Sequence, residues 1–128
     1  MIYREETEGF VVEAEPTYIP DQSSPEENRF FFAYRIRIRN EGARKAQLLG
    51  RHWVIVDGQK NREDVEGPGV VGEQPFFEVG TSYEYTSFCP LPTPTGSMRG
   101  TYVMRDENGE EFKIRIPLFF LRDHLHNQ

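Results

Sequence analysis

The sequence predicts an all-β fold, an antiparallel β-sandwich of about seven to eight strands. Apolar residues alternate with polar ones in several short runs, and no run shows helical spacing better than alternation. Most of the 11 glycines and 9 prolines lie between these runs, as turn residues do. A chain of 128 residues suffices for one core, so we expect a single domain over residues 1–128. The spacing of the turns favours a sandwich over a barrel.

The first half of the chain contains the clearest strand. Residues 29–39 place aromatic and aliphatic side chains on one face and arginines on the other, whereas residues 10–15 alternate more weakly. Residues 48–56 are rich in β-branched and aromatic residues around Trp53, which we expect in the core. This strand ends at Asp57-Gly58, a dipeptide that tolerates the positive φ of a tight hairpin turn.

The second half of the chain contains a second predicted hairpin. Residues 101–105 and 112–118 alternate on either side of a polar turn at 106–109. Weaker strands are predicted at 59–65 and 76–86. Three connections are longer than a turn, at 16–28, 67–75 and 87–99, and long loops often carry function. A polar tail is expected from about residue 122.

The charge balance excludes some classes of partner. There are 15 Lys and Arg against 21 Asp and Glu, a net charge of −6, so no global positive field attracts nucleic acid. No apolar run reaches the roughly 18 residues of a membrane span, so we expect no membrane insertion. The single Cys89 cannot close a disulfide within the chain, which favours the reducing cytoplasm.

Four stretches carry a family resemblance. They read EPTYIPDQSSPEENRFFFAYRIRIRNEG (15–42), LLGRHWVIVDG (48–58), EGPGVVGEQPFFEVGTSYEYTSFCPLPTPTGSMRGTYVM (66–104) and EFKIRIPLFFL (111–121). Together they resemble the bacterial ApaG family, also called CorD, over nearly the whole chain. The resemblance implies an immunoglobulin-related, fibronectin-type-III-like sandwich, in agreement with the strand pattern.

The function implied by this resemblance is less specific. One family name comes from cobalt resistance and magnesium efflux, and the other from gene neighbourhood with diadenosine tetraphosphate hydrolysis. Similar domains in eukaryotic F-box proteins and in a DNA-polymerase-delta-interacting protein look like interaction modules. We therefore expect a non-enzymatic protein-interaction or regulatory module, with no cofactor, a protein partner of unknown identity and only an indirect link to metal efflux. A homodimer is also allowed, because an edge strand can pair with its own copy.

The glycines Gly67, Gly69 and Gly72 spell G-x-G-x-x-G, and the resemblance implies a pyrophosphate-binding loop there. A nucleotide or pyrophosphate ligand is therefore the alternative function. The physical case is weak, because no helix follows the loop and acids flank it. Phosphate binding would need donors from elsewhere, such as Arg51 or Arg99. Otherwise the glycines simply form a tight connection between strands.

A row of arginines is the second candidate site. Arg35, Arg37 and Arg39 share one strand face with Phe31. Guanidinium groups in such a row bind carboxylates or phosphates of a ligand, or they pair with acids on a neighbouring strand. The stiff, partly apolar segment around Leu91 is a further candidate contact, or it caps one end of the sandwich.

The remaining chemistry-bearing residues predict no catalytic site. His52 is expected to pack within a strand, and His124 and His126 lie in the polar tail, where a metal site would need that tail to be ordered. Cys89 has no helix N-terminus or adjacent imidazolium to activate it. We therefore predict no catalytic and no metal-binding residues.

Overall fold

A computed structural model describes residues 1–123. These residues form nine β-strands and two short 3-10 turns, the turns at Pro20–Gln22 and Pro25–Glu27. The strands are β1 (Tyr3–Thr7), β2 (Phe10–Tyr18), β3 (Phe30–Asn40), β4 (Ala46–Asp57), β5 (Arg62–Pro68), β6 (Phe76–Phe77), β7 (Ser82–Leu91), β8 (Thr95–Asp106) and β9 (Glu111–Arg122).

The strands form two antiparallel sheets, which confirms the predicted sandwich. The first sheet has the order β1-β2-β3-β7, and the second has the order β5-β4-β8-β9 with β6 also pairing with β4. The register of β4 against β8 shifts at Leu48/Gly50, and that of β8 against β9 shifts at Met98/Gly100. Such bulges bend and twist strands, as the closure of one sheet over another requires.

The core lies between the inward faces of the two sheets. The alternation in β3 is confirmed, since Phe32, Ile36 and Ile38 are fully buried while the arginines face outward. Trp53 of the second sheet is also buried, as predicted, and its ring packs edge-on against Tyr34 of the first sheet at 5.3 Å between centroids. The two inward faces therefore interdigitate through large aromatic rings.

Both predicted hairpin turns are present, and the same side-chain chemistry closes them. Asp57 Oδ1 accepts hydrogen bonds from the N–H groups of Gln59 and Asn61. Asp106 Oδ1 accepts equivalent bonds from residues 108 and 110. The left-handed residue of the first turn is Lys60, with φ of 71°, and not Gly58 as the sequence pattern suggested.

The predicted strand at 76–86 is two strands in two different sheets. Phe76–Phe77 pairs with β4, whereas Ser82–Leu91 pairs with β3. The chain crosses between the sheets at residues 78–81, where Gly80 has φ of +87°. The short β1, which pairs with β2, was not predicted, because its alternation YREET is almost entirely polar.

The prediction of a long connection after residue 86 was wrong. Residues 87–99 are not a long loop, since β7 runs to Leu91 and β8 starts at Thr95. The predicted polar tail from about residue 122 falls mostly outside the described residues; within them, β9 continues to Arg122 and Asp123 is only 2% exposed. The predictions for His124 and His126 lie outside the described residues.

Candidate functional site

The arginine row lies on the outer face of the first sheet, where β2, β3 and β7 run side by side. Register places acids of β2 and β7 directly opposite it. The guanidinium–carboxylate pairs are Arg35–Glu15 at 2.8 Å, Arg35–Glu84 at 3.7 Å, Arg37–Glu13 at 3.8 Å and Arg39–Glu41 at 3.5 Å. The pairs are exposed, so each contributes little to stability and the face has mixed rather than positive charge.

An aromatic pair lies at one end of this face. Phe31 stacks on Phe88 of β7, with 5.5 Å between ring centroids and 26° between ring planes. Phe88 is 55% exposed, and Pro90 directly opposite Phe31 is also exposed. The strand pattern indicated Phe31 as an apolar anchor but missed Phe88, although the alternation in 82–91 places Phe88 on the same sheet face.

Leu91 is not part of an accessible surface. It is 4% exposed and belongs to the hydrophobic core, because odd-numbered residues of β7 point inward. The prediction of Leu91 as a contact residue was wrong for this reason. The sequence pattern predicts a loop at 87–99, and a loop has no fixed alternation of side-chain direction.

The glycine segment joins the end of β5 to a tight turn. Gly67 lies within β5, whereas Gly69 and Gly72 have φ of +61° and +83°. A Cβ at Gly69 would lie 2.2 Å from the carbonyl oxygen of Glu73, so only glycine fits there. The geometry of Gly69 is thus accounted for by the turn itself.

The turn uses most of its own hydrogen-bonding groups. The N–H of Gly69 donates to the Leu49 carbonyl, and residues Val70 and Glu73 exchange two backbone bonds. Arg51 donates from Nη1 to the carbonyl oxygens of residues 68 and 69, at 2.9 and 3.1 Å. Arg51, which could have supplied a phosphate ligand, therefore binds the carbonyl side of the loop.

The histidine and the cysteine occupy unrelated places. His52 Nε2 lies 2.8 Å from Asp64 Oδ2 on the outer face of the second sheet. Cys89 points into the core of the first sheet, where burial raises the pKa of its thiol to about 12. A thiol with this pKa is protonated at neutral pH and is a poor nucleophile.

No group of three or more His, Cys, Asp or Glu within residues 1–123 is arranged to hold a metal ion. Over the same residues, no helix is long and apolar enough to cross a membrane.

A cleft that the sequence did not reveal opens between β7 and β5, the edge strands on one side of the sandwich. Its volume is about 340 Å³. The walls combine apolar side chains with Arg51, Glu63 and Ser87, and the apolar lining residues are Tyr34, Trp53, Ile55, Val65, Phe88, Cys89, Pro90 and Met98. Sequence patterns give each strand's faces but not which edges become neighbours.

Comparison with known proteins places the chain in one family. Residues 20–106 match the model of the ApaG domain. The chain is 54% identical to Protein ApaG of Paramagnetospirillum magneticum and 50% identical to that of Methylobacterium sp. strain 4-46, each time over 94% of this chain and 92% of the relative. A crystal structure of the putative ApaA protein from Bordetella pertussis superposes with a TM-score of 0.86 at 48% identity, covering 88% of this chain and 92% of that one. The chain therefore belongs to the ApaG family.

Proposed function

We propose that this protein is a non-enzymatic, regulatory protein-interaction module that binds its partner at the Phe31–Phe88 end of the first sheet. The observation that carries the proposal is the exposed stacked pair itself. Phe88 is more than half exposed although its ring stacks on Phe31 of the neighbouring strand. Aromatic rings held rigidly at the surface supply large contact area at small entropic cost, which is typical of interface anchors.

The reactive groups of the described residues support a binding role over catalysis. Cys89 is buried and protonated, and His52 is already engaged with Asp64 on a different sheet. A catalytic site needs a nucleophile, a base and an orienting group within hydrogen-bond reach of one another. These side chains instead lie on separate faces of the sandwich.

Nucleotide or pyrophosphate binding at the glycine turn is the second candidate function. It is favoured by one observation, that the N–H groups of Val71 and Gly72 bond to no acceptor within residues 1–123. Two neighbouring donors are the beginning of an anion site. Phosphate binding is disfavoured because the carboxylate of Glu73 is adjacent and because Arg51 already donates to carbonyl oxygens. This function therefore ranks below protein binding.

The link to cobalt resistance and magnesium efflux stays a prediction from the family names. We propose that it is indirect and acts through the protein partner. A cytoplasmic location also stays a prediction, based on the free thiol of Cys89.

Site-specific photo-crosslinking in cells tests the proposal. A benzoylphenylalanine at position 88 should give one dominant adduct, identified by mass spectrometry. The matched control is position 120 of β9, where Phe120 is 46% exposed on the other sheet. Equal labelling at both positions, or turnover of a dinucleoside polyphosphate by the purified protein, would contradict the proposal.

A further inference from the structure

The free edge of β7 exposes a row of backbone groups. Within residues 1–123, β3 is the one strand that pairs with β7. The N–H of Asn40 donates to the carbonyl of Thr81 just before the strand, so odd-numbered positions bond to β3. Pro90 fits this alternation, because a proline lacks the N–H that a paired position would need. The even-numbered residues Ser82, Glu84, Thr86 and Phe88 therefore direct their N–H and C=O groups away from β3.

The cleft beside this edge provides room for side chains of an added strand. An added strand continues the alternation of the sheet, so every second side chain would point toward the second sheet. There it would meet Trp53, Ile55 and Val65, which line the cleft. Within residues 1–123, no hydrogen bond or ion pair connects β5 to β7. The cleft can therefore accept a side chain without breaking a hydrogen bond or ion pair between these two strands.

The opposite side of the sandwich is closed. Arg115 of β9 pairs with Glu5 of β1, and its backbone N–H donates to Thr7 Oγ1 at 3.1 Å. The ring of Tyr3 also packs against Phe119 and Phe120. Side-chain contacts therefore connect the edge strands β1 and β9. Among the described residues, no such hydrogen bond or ion pair spans the cleft between β7 and β5.

The charge beside the cleft identifies the kind of segment that fits. Strand β5 carries one arginine and three acids, a net charge of −2. Arg62 bonds to Asp64 at 2.7 Å, which leaves Glu63 at the cleft without an ion pair in the described chain. A second copy pairing through β7 would bring two such acidic strands to one interface, which repulsion disfavours. Arg51 also lines the cleft but donates to the carbonyl oxygens of residues 68 and 69, so the net negative charge of β5 would attract a basic segment instead.

We propose that the β7 edge binds an extended segment of a partner protein as an added strand, with an apolar side chain in the cleft over Trp53 and a Lys or Arg beside Glu63. This inference rests on the proposed function and names its mode of binding. The Phe31–Phe88 pair lies on the outer face of the same edge, so one added strand would contact both it and the cleft.

Selection of a phage-displayed library of random twelve-residue peptides on the intact protein tests this mode. Selected peptides should alternate apolar with other residues and contain Lys or Arg. In two-dimensional amide NMR they should shift the signals of Ser82, Glu84, Thr86 and Phe88. Methylating every second backbone nitrogen of a selected peptide removes N–H donors and keeps the side chains. Of the two peptides that can be made this way, only the one that loses the N–H groups facing β7 should fail to shift the signals.

Two protein variants sharpen the test. Thr86→Pro removes an outward N–H that β3 does not use, so the fold should persist while peptide binding falls at least tenfold. Glu63→Lys should weaken basic peptides and select acidic ones, and Glu107→Lys in the distant β8–β9 turn is the matched charge control. For Thr86→Pro and Glu63→Lys, unchanged amide signals of residues outside β7 show that the variant is folded.

Each contrary result overturns the inference. Peptide shifts confined to β1 and β9, an absence of selected peptides, or unchanged binding by Thr86→Pro would exclude strand addition at β7. A dimer that dissociates on Thr86→Pro would assign the edge to a second copy. If a specific adduct still forms at position 88, the proposed function survives and only this mode of binding is lost.

Discussion

The phenol oxygens of Tyr85 and Tyr102 lie 2.5 Å apart and connect the two sheets through the core. Tyr85 belongs to β7 of the first sheet, and Tyr102 belongs to β8 of the second. Burial raises the pKa of both phenols, so both stay protonated and one donates to the other at neutral pH. This bond is a buried polar contact between the two sheets.

Removing one of these hydroxyl groups should destabilise the protein. Tyr102→Phe leaves the buried Tyr85 hydroxyl without this partner, which should cost about 1–3 kcal/mol of unfolding free energy. The double variant Tyr85→Phe/Tyr102→Phe should regain part of that loss, because two apolar groups then face each other. Urea denaturation of the four proteins in a double-mutant cycle measures the coupling, and a coupling near zero would show that the bond is not formed.

Cys89 contributes to the alkaline pH dependence of stability. Burial raises the pKa of its thiol from 9.0 to about 12. The folded state therefore keeps a proton that the unfolded state loses, and this contribution is complete below pH 9.0 and is lost as pH rises toward about 12. Denaturation midpoints of the native protein and of Cys89→Ala should fall with different slopes above pH 9.0. Parallel slopes would argue against a buried thiol.

Glycine should be the favoured residue at the same position of both hairpin turns. Lys60 and Gly109 occupy the same position after Asp57 and Asp106, with φ of 71° and 81°. A side chain is strained in this left-handed conformation, so Lys60→Gly should stabilise by a few tenths of a kcal/mol or more and Gly109→Ala should destabilise by about 1 kcal/mol. Thermal unfolding measures both, and destabilisation by Lys60→Gly would show that the side chain has another role.

The glycine turn should respond unequally to an added methyl group. Gly69→Ala places Cβ against the Glu73 carbonyl and should destabilise strongly, whereas Gly72 has no atom within 4 Å of such a Cβ. Gly72→Ala should therefore cost about 1 kcal/mol, from backbone strain alone. Substitutions at Gly69 cannot test phosphate binding with the fold intact. Gly72→Ala is therefore the variant with which phosphate binding can be tested in a folded protein.

We expect no saturable binding of phosphate ligands at that turn. Amide NMR titration with pyrophosphate, ATP and a diadenosine polyphosphate, with and without magnesium, measures this directly. Signals of residues 67–73 should stay unshifted at millimolar ligand, because Arg51 is held by carbonyl groups and Glu73 is adjacent. Saturating shifts that Gly72→Ala abolishes would instead support the second candidate function.

Local patterns in the sequence determined much of the fold and part of the candidate site. Alternation in 29–39 was enough to place Phe31, Arg35, Arg37 and Arg39 on one outer face, and the β-branched and aromatic run 48–56 was enough to place Trp53 in the core. These outcomes depend on the period-two geometry of a strand, which is a property of consecutive residues. The family resemblance pointed to the same sandwich.

Only the tertiary structure decided which strand edges lie together. The division of 76–86 between two sheets depends on pairing with β4 and β3, and those partners are remote in the chain. The burial of Leu91, the exposed position of Phe88 and the cleft between β7 and β5 all follow from that pairing. Alternation gives a strand two faces, but long-range hydrogen bonding and packing choose its neighbours, and those neighbours create the candidate site.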